Sequence, residues 1–231
     1  MSIYAISDLH LSYNTDKPMD IFGWKNYENK IKENWNSKVK ESDLVILGGD
    51  FSWSMDLKDT YKDFEFIHKL PGKKILIKGN HDYWWGTLTK MKKYINEIGF
   101  NDINFLYNNS YEFEGKIICG TRGWNFTDLQ EDDEKIYNRE IQRLKLSLED
   151  AVKKYGTDKE IIVCLHYPPL KTNEISDFVR VMEEYNVTKC IYGHLHGPAH
   201  KFIVEKNIDN IQYIMTSCDY TNFDLVKLFV F

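Results

Sequence analysis

The sequence predicts a layered α/β domain, and three observations carry that expectation. Short β-branched runs recur along the chain, stretches of helical period separate them, and the chain is long enough to bury a large core. At 231 residues, against about 150 per domain, it reads as one domain spanning 1–231 rather than two small ones. A chain of this length buries roughly 70 per cent of its unfolded surface unaided, so neither disulfides nor a structural metal is required for folding. No internal repeat, low-complexity tract or linker rich in Pro, Gly or Ser interrupts it.

The elements follow in order. A first strand is expected over Ile3 to Ser7, then a helix across Trp24 to Val39 with Tyr27, Ile31 and Trp35 on its apolar side. Leu44 to Leu47 reads as a strand, Lys58 to Leu70 as a helix, Ile75 to Lys78 as a strand and Thr87 to Ile98 as a helix. Ile103 to Leu106, Tyr111 to Phe113 and Lys116 to Cys119 read as strands joined by Asn-Asn and Glu-Gly turns, a hairpin signature. From Asp132 to Tyr155, Tyr137, Ile141, Leu144, Leu148 and Val152 recur at steps of four, three, four and four behind an acidic start that suits a helix N-terminus. Ile161 to Leu165 and Lys189 to Tyr192 read as buried strands flanking a helix near Ile175 to Tyr185, and short β segments from Ala199 to Phe231 are expected to close the sheet.

Composition removes several function classes. Thirty Lys+Arg against 35 Asp+Glu leave a net charge of −5, without the phosphate attraction on which a general nucleic-acid binder relies, so long nucleic acid is a poor partner. No apolar run approaches the ~18 residues that span a bilayer, so no membrane association is expected. The start, Met1-Ser-Ile-Tyr-Ala-Ile-Ser-Asp8, lacks the basic and apolar regions of a signal peptide. Cys119, Cys164, Cys190 and Cys218 are widely spaced, form no Cys-x-x-Cys, and the first three lie in apolar runs; free thiols in a reducing cytoplasm are expected. The sequence carries no indication of oligomeric state.

Five polar clusters each follow directly on an apolar strand-like run: Asp8-Leu-His10, Gly49-Asp50, Gly79-Asn80-His81-Asp82, His166, and Gly193-His194-Leu-His196. Ligands of open α/β sheets bind outside the carboxyl ends of strands, so the five clusters are expected to converge on one crevice. In an extended segment residues two apart point the same way, which would let Asp8 with His10, and His194 with His196, each address one centre. Asp8, His10, Asp50, Asn80, His166, His194 and His196 offer imidazole nitrogen with carboxylate or amide oxygen and no thiolate. The set exceeds one tetrahedral ion and suits two divalent ions of the Mn, Fe or Zn kind better than Mg or Ca. A carboxylate is the natural bridge between two ions, and Asp50, from a middle strand, is the candidate.

Each motif has a plainer reading when taken alone. A single Asp-x-His or Gly-Asp is commonly a turn, His166 beside Pro168-Pro169 reads as a satisfied core histidine, and His68 and His200 read as structural. Five in order, each at a strand end, point instead to a metal site.

Together these motifs resemble the calcineurin-like metallophosphoesterase superfamily, over residues 8 to 196. The resemblance implies a four-layer α/β/β/α sandwich with two mixed sheets and a dinuclear centre in which Asp8, His10 and His196 hold one metal, Asn80, His166 and His194 the other, and Asp50 bridges. It implies a hydrolase acting on a small phosphomonoester or phosphodiester, with His81 donating a proton to the leaving oxygen. One departure bears on substrate. Phosphoprotein phosphatases continue the second motif as Gly-Asp-x-x-Asp-Arg-Gly, whereas this chain reads Gly49-Asp50-Phe51-Ser52-Trp53-Ser54-Met55, and Lys78 stands where that branch usually has Arg. A Ser/Thr protein phosphatase is disfavoured, a phosphodiesterase is slightly preferred, and Asp82 and Asp56 are candidates to orient His81. A nuclease of the same superfamily and a non-catalytic metal-binding scaffold are the alternatives. Trp53, Trp84, Trp85 and Trp124 either pack under loops or wall a flat leaving group. Arg122 either binds a phosphate oxygen or forms an ordinary ion pair. Thr127 to Glu134 is either a lid or a turn into the following helix.

Overall fold

The computed structural model describes residues 1–127, 129–172 and 174–231. In chain order the elements are β1 (Ser2–Ile6), α1 (Tyr27–Lys38), β2 (Leu44–Leu47), α2 (Tyr61–His68), β3 (Lys73–Leu76), α3 (Leu88–Glu97), β4 (Ile103–Phe105), β5 (Tyr111–Phe113), β6 (Lys116–Thr121), α4 (Glu131–Tyr155), β7 (Ile161–Leu165), β8 (Leu170–Lys171), β9 (Glu174–Ile175), α5 (Asp177–Glu183), β10 (Val187–Tyr192), β11 (Asn207–Ile208), β12 (Ile211–Met215) and β13 (Val226–Val230).

Strands buried on both faces read as continuous apolar runs, and parallel strands need helical crossovers. The helices α1 to α5 make these crossovers between the parallel strands from β1 to β10, and β10 reaches β12 through a 3-10 turn and β11. One sheet runs β13-β1-β2-β3-β4, with β1 to β4 parallel and β13 antiparallel on β1. The other runs β11-β12-β10-β7-β6-β5, parallel from β12 to β6 and closed by antiparallel β11 and β5. Alternation along the strands then builds the layers. Ile3, Ala5, Ile46 and Ile75 of the first sheet meet Ile118, Ile162, Cys164 and Ile191 of the second in an inner core. Tyr4, Ile6, Val45 and Leu76 point outward onto Tyr27, Ile31, Trp35, Phe64, Ile67, Met91 and Ile95 of α1 to α3. On the far side Ile117, Cys119, Val163 and Tyr213 cover Tyr137, Ile141, Leu144, Leu148 and Phe178 of α4 and α5. The result is the α/β/β/α sandwich, with two mixed sheets, that the motifs imply.

The structure corrects several boundaries. The Asn108-Asn109 segment is not a hairpin turn: β4 pairs with β3 in the first sheet and β5 with β6 in the second, so the segment carries the chain between sheets. Locally the two alternatives look alike, because each strand's apolar pattern is silent about its partner. The C-terminal region does not close a single sheet. It opens with a 3-10 turn over Gly197–Phe202, adds β11 and β12 to one sheet, and returns β13 to the other. Ile175 belongs to the short β8–β9 hairpin, and α5 starts only at Asp177. Asp128, within the stretch considered as a lid, lies outside the described residues, and from Glu131 the chain is already in α4.

Candidate metal centre

Both sheets present the carboxyl ends of their parallel strands to the same edge, and the backbone ties them together there. Ser7 N–H donates to Thr216 O at 2.8 Å and Cys218 N–H to Ser7 O at 3.1 Å between the sheets, while Asp8 N–H donates to Gly49 O at 2.9 Å within the first and Gly193 N–H to His166 O at 3.1 Å within the second. All seven metal-ligand candidates converge at this seam. His196 Nε2 lies 3.1 Å from Asp8 Oδ1, and the His10 and His196 rings are 5.4 Å apart between centroids. Asp50 Oδ2 lies 3.7 Å from His10 Nε2 on one side and 3.4 Å from His166 Nε2 on the other. Asn80 Oδ1 sits 2.7 Å from His166 Nε2 and 2.9 Å from His194 Nδ1. Asp8, His10 and His196 form one group with donor atoms within 4.8 Å of one another, and Asp8, Asp50 and His166 form a second.

The local backbone differs from the extended segments expected. Asp8, His10, Asp50 and His194 all have positive φ, at 62°, 45°, 49° and 73°. Left-handed conformations at non-glycine residues cost about 1–3 kcal/mol each and persist where the surrounding structure enforces them. Each strand here ends in a sharp turn that aims its donor inward, and that turn, rather than strand alternation, pairs Asp8 with His10. Gly193 makes the approach possible, because a Cβ there would stand 2.3 Å from Asp8 Oδ2.

Several residues that hold the candidate ligands lie outside the donor set. Asp8 Oδ2 accepts from Ser7 Oγ at 2.5 Å and Ser217 Oγ at 2.9 Å, while His194 N–H donates to the same carboxylate at 3.1 Å. Asp219 Oδ1 lies 2.9 Å from His196 Nδ1 and its Oδ2 accepts from Gly197 N–H at 3.0 Å. The buried carboxylate of Asp82 accepts from the N–H groups of Phe51, Ser52 and Gly79 and from Trp84 Nε1, at 2.7 to 3.2 Å. A signal for two of them existed: Thr216-Ser-Cys-Asp219 follows the apolar strand β12 just as the five recognised clusters follow theirs.

Asp82 is therefore committed to the backbone and does not orient His81. Asp56 does not reach it either: among the described residues His81 Nδ1 has no hydrogen-bond partner. Trp53 takes that place by packing. Its ring stacks on His10, with centroids 4.8 Å apart and planes at 21°, and lies 4.5 Å from the ring of His81. Trp84 and Trp85 are buried with Phe64 and Phe105 in the core under α2 and α3, and so form no wall at the site. The Arg122 guanidinium lies 4.4 Å over Trp124 and 3.4 Å from the buried Glu140, which also pairs with Arg143 at 2.7 Å. Its main-chain carbonyl accepts from the N–H groups of His166 and Tyr167, both at 3.0 Å. His68 pairs with Asp102 at 2.5 Å, and His200 lies 3.2 Å from Asp219.

The electrostatics fit divalent cations. Burial opposes ionisation of Asp8 and Asp50, yet the neighbouring histidines hold both below the usual carboxylate range, His196 chiefly for Asp8 and His166 for Asp50. Burial also opposes charging of His166 and His196, but Asp50 raises the first to about 9 and Asp8 raises the second to about 10. His166 Nδ1 faces the Gly48 carbonyl at 3.1 Å and its Nε2 faces Asn80 Oδ1 at 2.7 Å. Burial depresses His10 and His194 to about 4, and depresses His81 as well. Two buried carboxylates thus draw protons onto imidazoles that, deprotonated, are metal donors, and among the described residues His10 Nδ1 is buried without a partner.

The fold and this donor set define a metal-dependent phosphoesterase. Residues 1–198 match the family described as calcineurin-like phosphoesterase, and the chain belongs to that family. Among solved structures it is similar to the protein TT1561 of Thermus thermophilus, at 11% identity and TM-score 0.62 over 98% of this chain and 97% of that one. It is similar also to a phosphopantetheinyl hydrolase of Mycobacterium tuberculosis, at 12% identity and TM-score 0.60 over 98% and 95%. A protein of unknown function from Aquifex aeolicus matches at 21% identity and TM-score 0.48, over 98% and 95%. No curated protein matches the sequence. These likenesses concern the fold. No helix among the described residues is long and apolar enough to cross a membrane.

Proposed function

We propose that the chain, acting as one domain over 1–231, hydrolyses a small phosphodiester or phosphomonoester at a dinuclear centre of the Mn, Fe or Zn kind. Asp8, His10 and His196 hold one cation, Asn80, His166 and His194 the other, and Asp50 bridges them. The observation that carries this reading is the position of Asp50 Oδ2, between His10 Nε2 at 3.7 Å and His166 Nε2 at 3.4 Å. Such cations supply an activated water and neutralise phosphoryl oxygens.

The remaining chemistry is the chain's own. The imidazole of His81, half-buried against Trp53, delivers a proton to the departing oxygen, and Trp53 packs against its ring while, among the described residues, its Nδ1 has no hydrogen-bond partner. Arg122, held by Glu140 and Trp124, adds positive charge for a phosphoryl oxygen. Trp53 stands where protein phosphatases carry an Asp, which favours a small diester over a phosphoprotein. The negative net charge disfavours long nucleic acid. Four buried free thiols support a reducing, cytoplasmic setting for the activity.

Metal analysis combined with hydrolysis of bis-p-nitrophenyl phosphate and p-nitrophenyl phosphate tests this reading. Two ions per chain and turnover are expected, with Asp50→Ala losing both. His81→Ala retains the ions but loses most activity toward esters with poor leaving groups; unchanged turnover of such esters would refute the acid role. Tight metal binding with no turnover across a broad panel of phosphoesters would make the protein a scaffold instead.

A further inference from the structure

We propose that Lys17 selects the leaving group, favouring esters whose departing alcohol or phenol carries a negative charge of its own. The inference rests on the phosphoesterase reading above and extends it to the part of the substrate that departs.

Lys17 lies in the segment between β1 and α1, and that segment is tied to the site through Trp53. Trp53 Nε1–H donates to the Sδ of buried Met19 at 3.4 Å, and Pro18, between Met19 and Lys17, holds its φ at −68°. One face of the Trp53 ring is stacked on His10, and the Lys17 ammonium lies over the ring, 4.6 Å from its centre. A face covered by an imidazole has no room for an ammonium, so Lys17 takes the other one. The same indole is 4.5 Å from the ring of His81. Lys17 therefore stands on the side of the site from which the ester oxygen departs, near enough for its charge to act on His81.

Asp16 and Asp20 flank Lys17 in sequence, yet among the described residues no carboxylate lies within 4.0 Å of its ammonium. An Asp in place of Trp53, as in protein phosphatases, would offset a cation at this position; an indole leaves it uncancelled. An ammonium over an aromatic face remains a point charge with three donors, and an anion arriving with the substrate is the partner it lacks. In the hydrolysis a water oxygen bonds to phosphorus and releases a proton to solvent, the bond from phosphorus to the leaving oxygen breaks, and that oxygen takes its proton from His81, which solvent reprotonates. Lys17 forms no bond and moves no proton. Its charge acts on the bound ester and on the transition state alike, so it lowers KM rather than raising kcat.

Two esters test this, methyl 4-carboxyphenyl phosphate and methyl 4-carbamoylphenyl phosphate, which differ in the charge of the para substituent and little in size, assayed with the Mn-loaded protein. Attraction between unit charges about 4 Å apart in water corresponds to about fivefold in an equilibrium constant. Lys17→Gln should accordingly lower the ratio of kcat/KM, carboxylate ester over carbamoyl ester, by about fivefold or more and chiefly through KM, and Lys17→Arg should restore it. Leaving-group acidity is the same for both proteins and cancels from the comparison. A ratio unchanged by Lys17→Gln, or a loss shared equally by the two esters, would overturn the assignment. Equilibrium dialysis with methyl (4-carboxybenzyl)phosphonate, which lacks the scissile oxygen, gives a readout independent of turnover: binding weakened by Lys17→Gln supports the contact, and equal binding counts against it. Turnover of neither ester, with phosphonate binding still dependent on Lys17, would sink the phosphoesterase reading while upholding the charge contact.

Discussion

Asp219 shows how far a candidate metal site depends on residues outside its donor set. Its Oδ1 faces His196 Nδ1 at 2.9 Å, which fixes a proton on that nitrogen and leaves Nε2 aimed at Asp8. Partners of this kind set the tautomer and orientation of a ligand imidazole, and removing one typically costs about 10–100-fold in metal affinity. Asp219→Ala should therefore weaken Mn binding by about 10–100-fold, read by equilibrium dialysis, and Asp219→Asn, whose amide oxygen still accepts from Nδ1–H, should recover part of the loss. Equal affinity in wild type and Asp219→Ala would remove this role. Asp219 itself is held below the usual carboxylate range, against its burial, chiefly by His196. The candidate ligands are legible because His and Asp are conspicuous after an apolar strand; Ser217 and Asp219 follow β12 in the same way but carry no histidine to draw notice, and Ser7 shows its contact with Asp8 only when β1 and β12 are seen side by side.

Between the ends of β2 and β3 there is no spare room. Asp82 gathers N–H groups from both loops, and Gly79 packs so closely on Asp50 that an added Cβ would meet Asp50 Oδ1 at 2.1 Å and Asp50 N at 2.2 Å. Neither neighbour is a flexible side-chain tip, since both belong to a buried residue in a left-handed turn. Gly79→Ala should thus displace the loop rather than the side chain, with loss of metal binding and a destabilisation of about 1–3 kcal/mol in urea unfolding. A variant with wild-type metal content would mean that the turn has slack. At this scale the sequence was most informative where one element satisfies its own pattern. The helix expected over Asp132 to Tyr155 is α4, Glu131–Tyr155, because Tyr137, Ile141, Leu144 and Leu148 form a single buried stripe whatever lies opposite. It was least informative for β4, whose three residues fit either sheet and whose partner is decided by Ile75 pairing with Asn104. The β3 boundary moved for a related reason. Lys74, just before the expected start at Ile75, is buried within the strand, its ammonium reaching Leu70 O and Asp102.

For the molecule as a whole, the donor cluster is where two independent sheets are joined. Asp8, Asp50 and Asn80 leave β1, β2 and β3 of one sheet, while His166, His194 and His196 leave β7 and β10 of the other. Cations shared across that seam, as proposed above, would bind the folded chain and not the unfolded one, and would act as a clamp whose strength is set by mass action. A ligand at a hundred times its dissociation constant adds about 2.7 kcal/mol, and for a chain of this size each kcal/mol moves the midpoint by about 2–4 °C. Loading with Mn or Zn should then raise the melting temperature by about 5 to 10 °C per ion, and excess chelator should reverse the gain. The inner core of Ile3, Ala5, Ile46, Ile162 and Ile191 contains none of the candidate donors, so the metal-free chain should remain folded and cooperative. Asp50→Ala separates this effect from cation binding elsewhere on the surface, because it removes the carboxylate common to both halves of the cluster and should abolish most of the shift. A melting temperature indifferent to metal and chelator in the wild type would mean that the seam does not hold the ions, and the dinuclear assignment would fall with it.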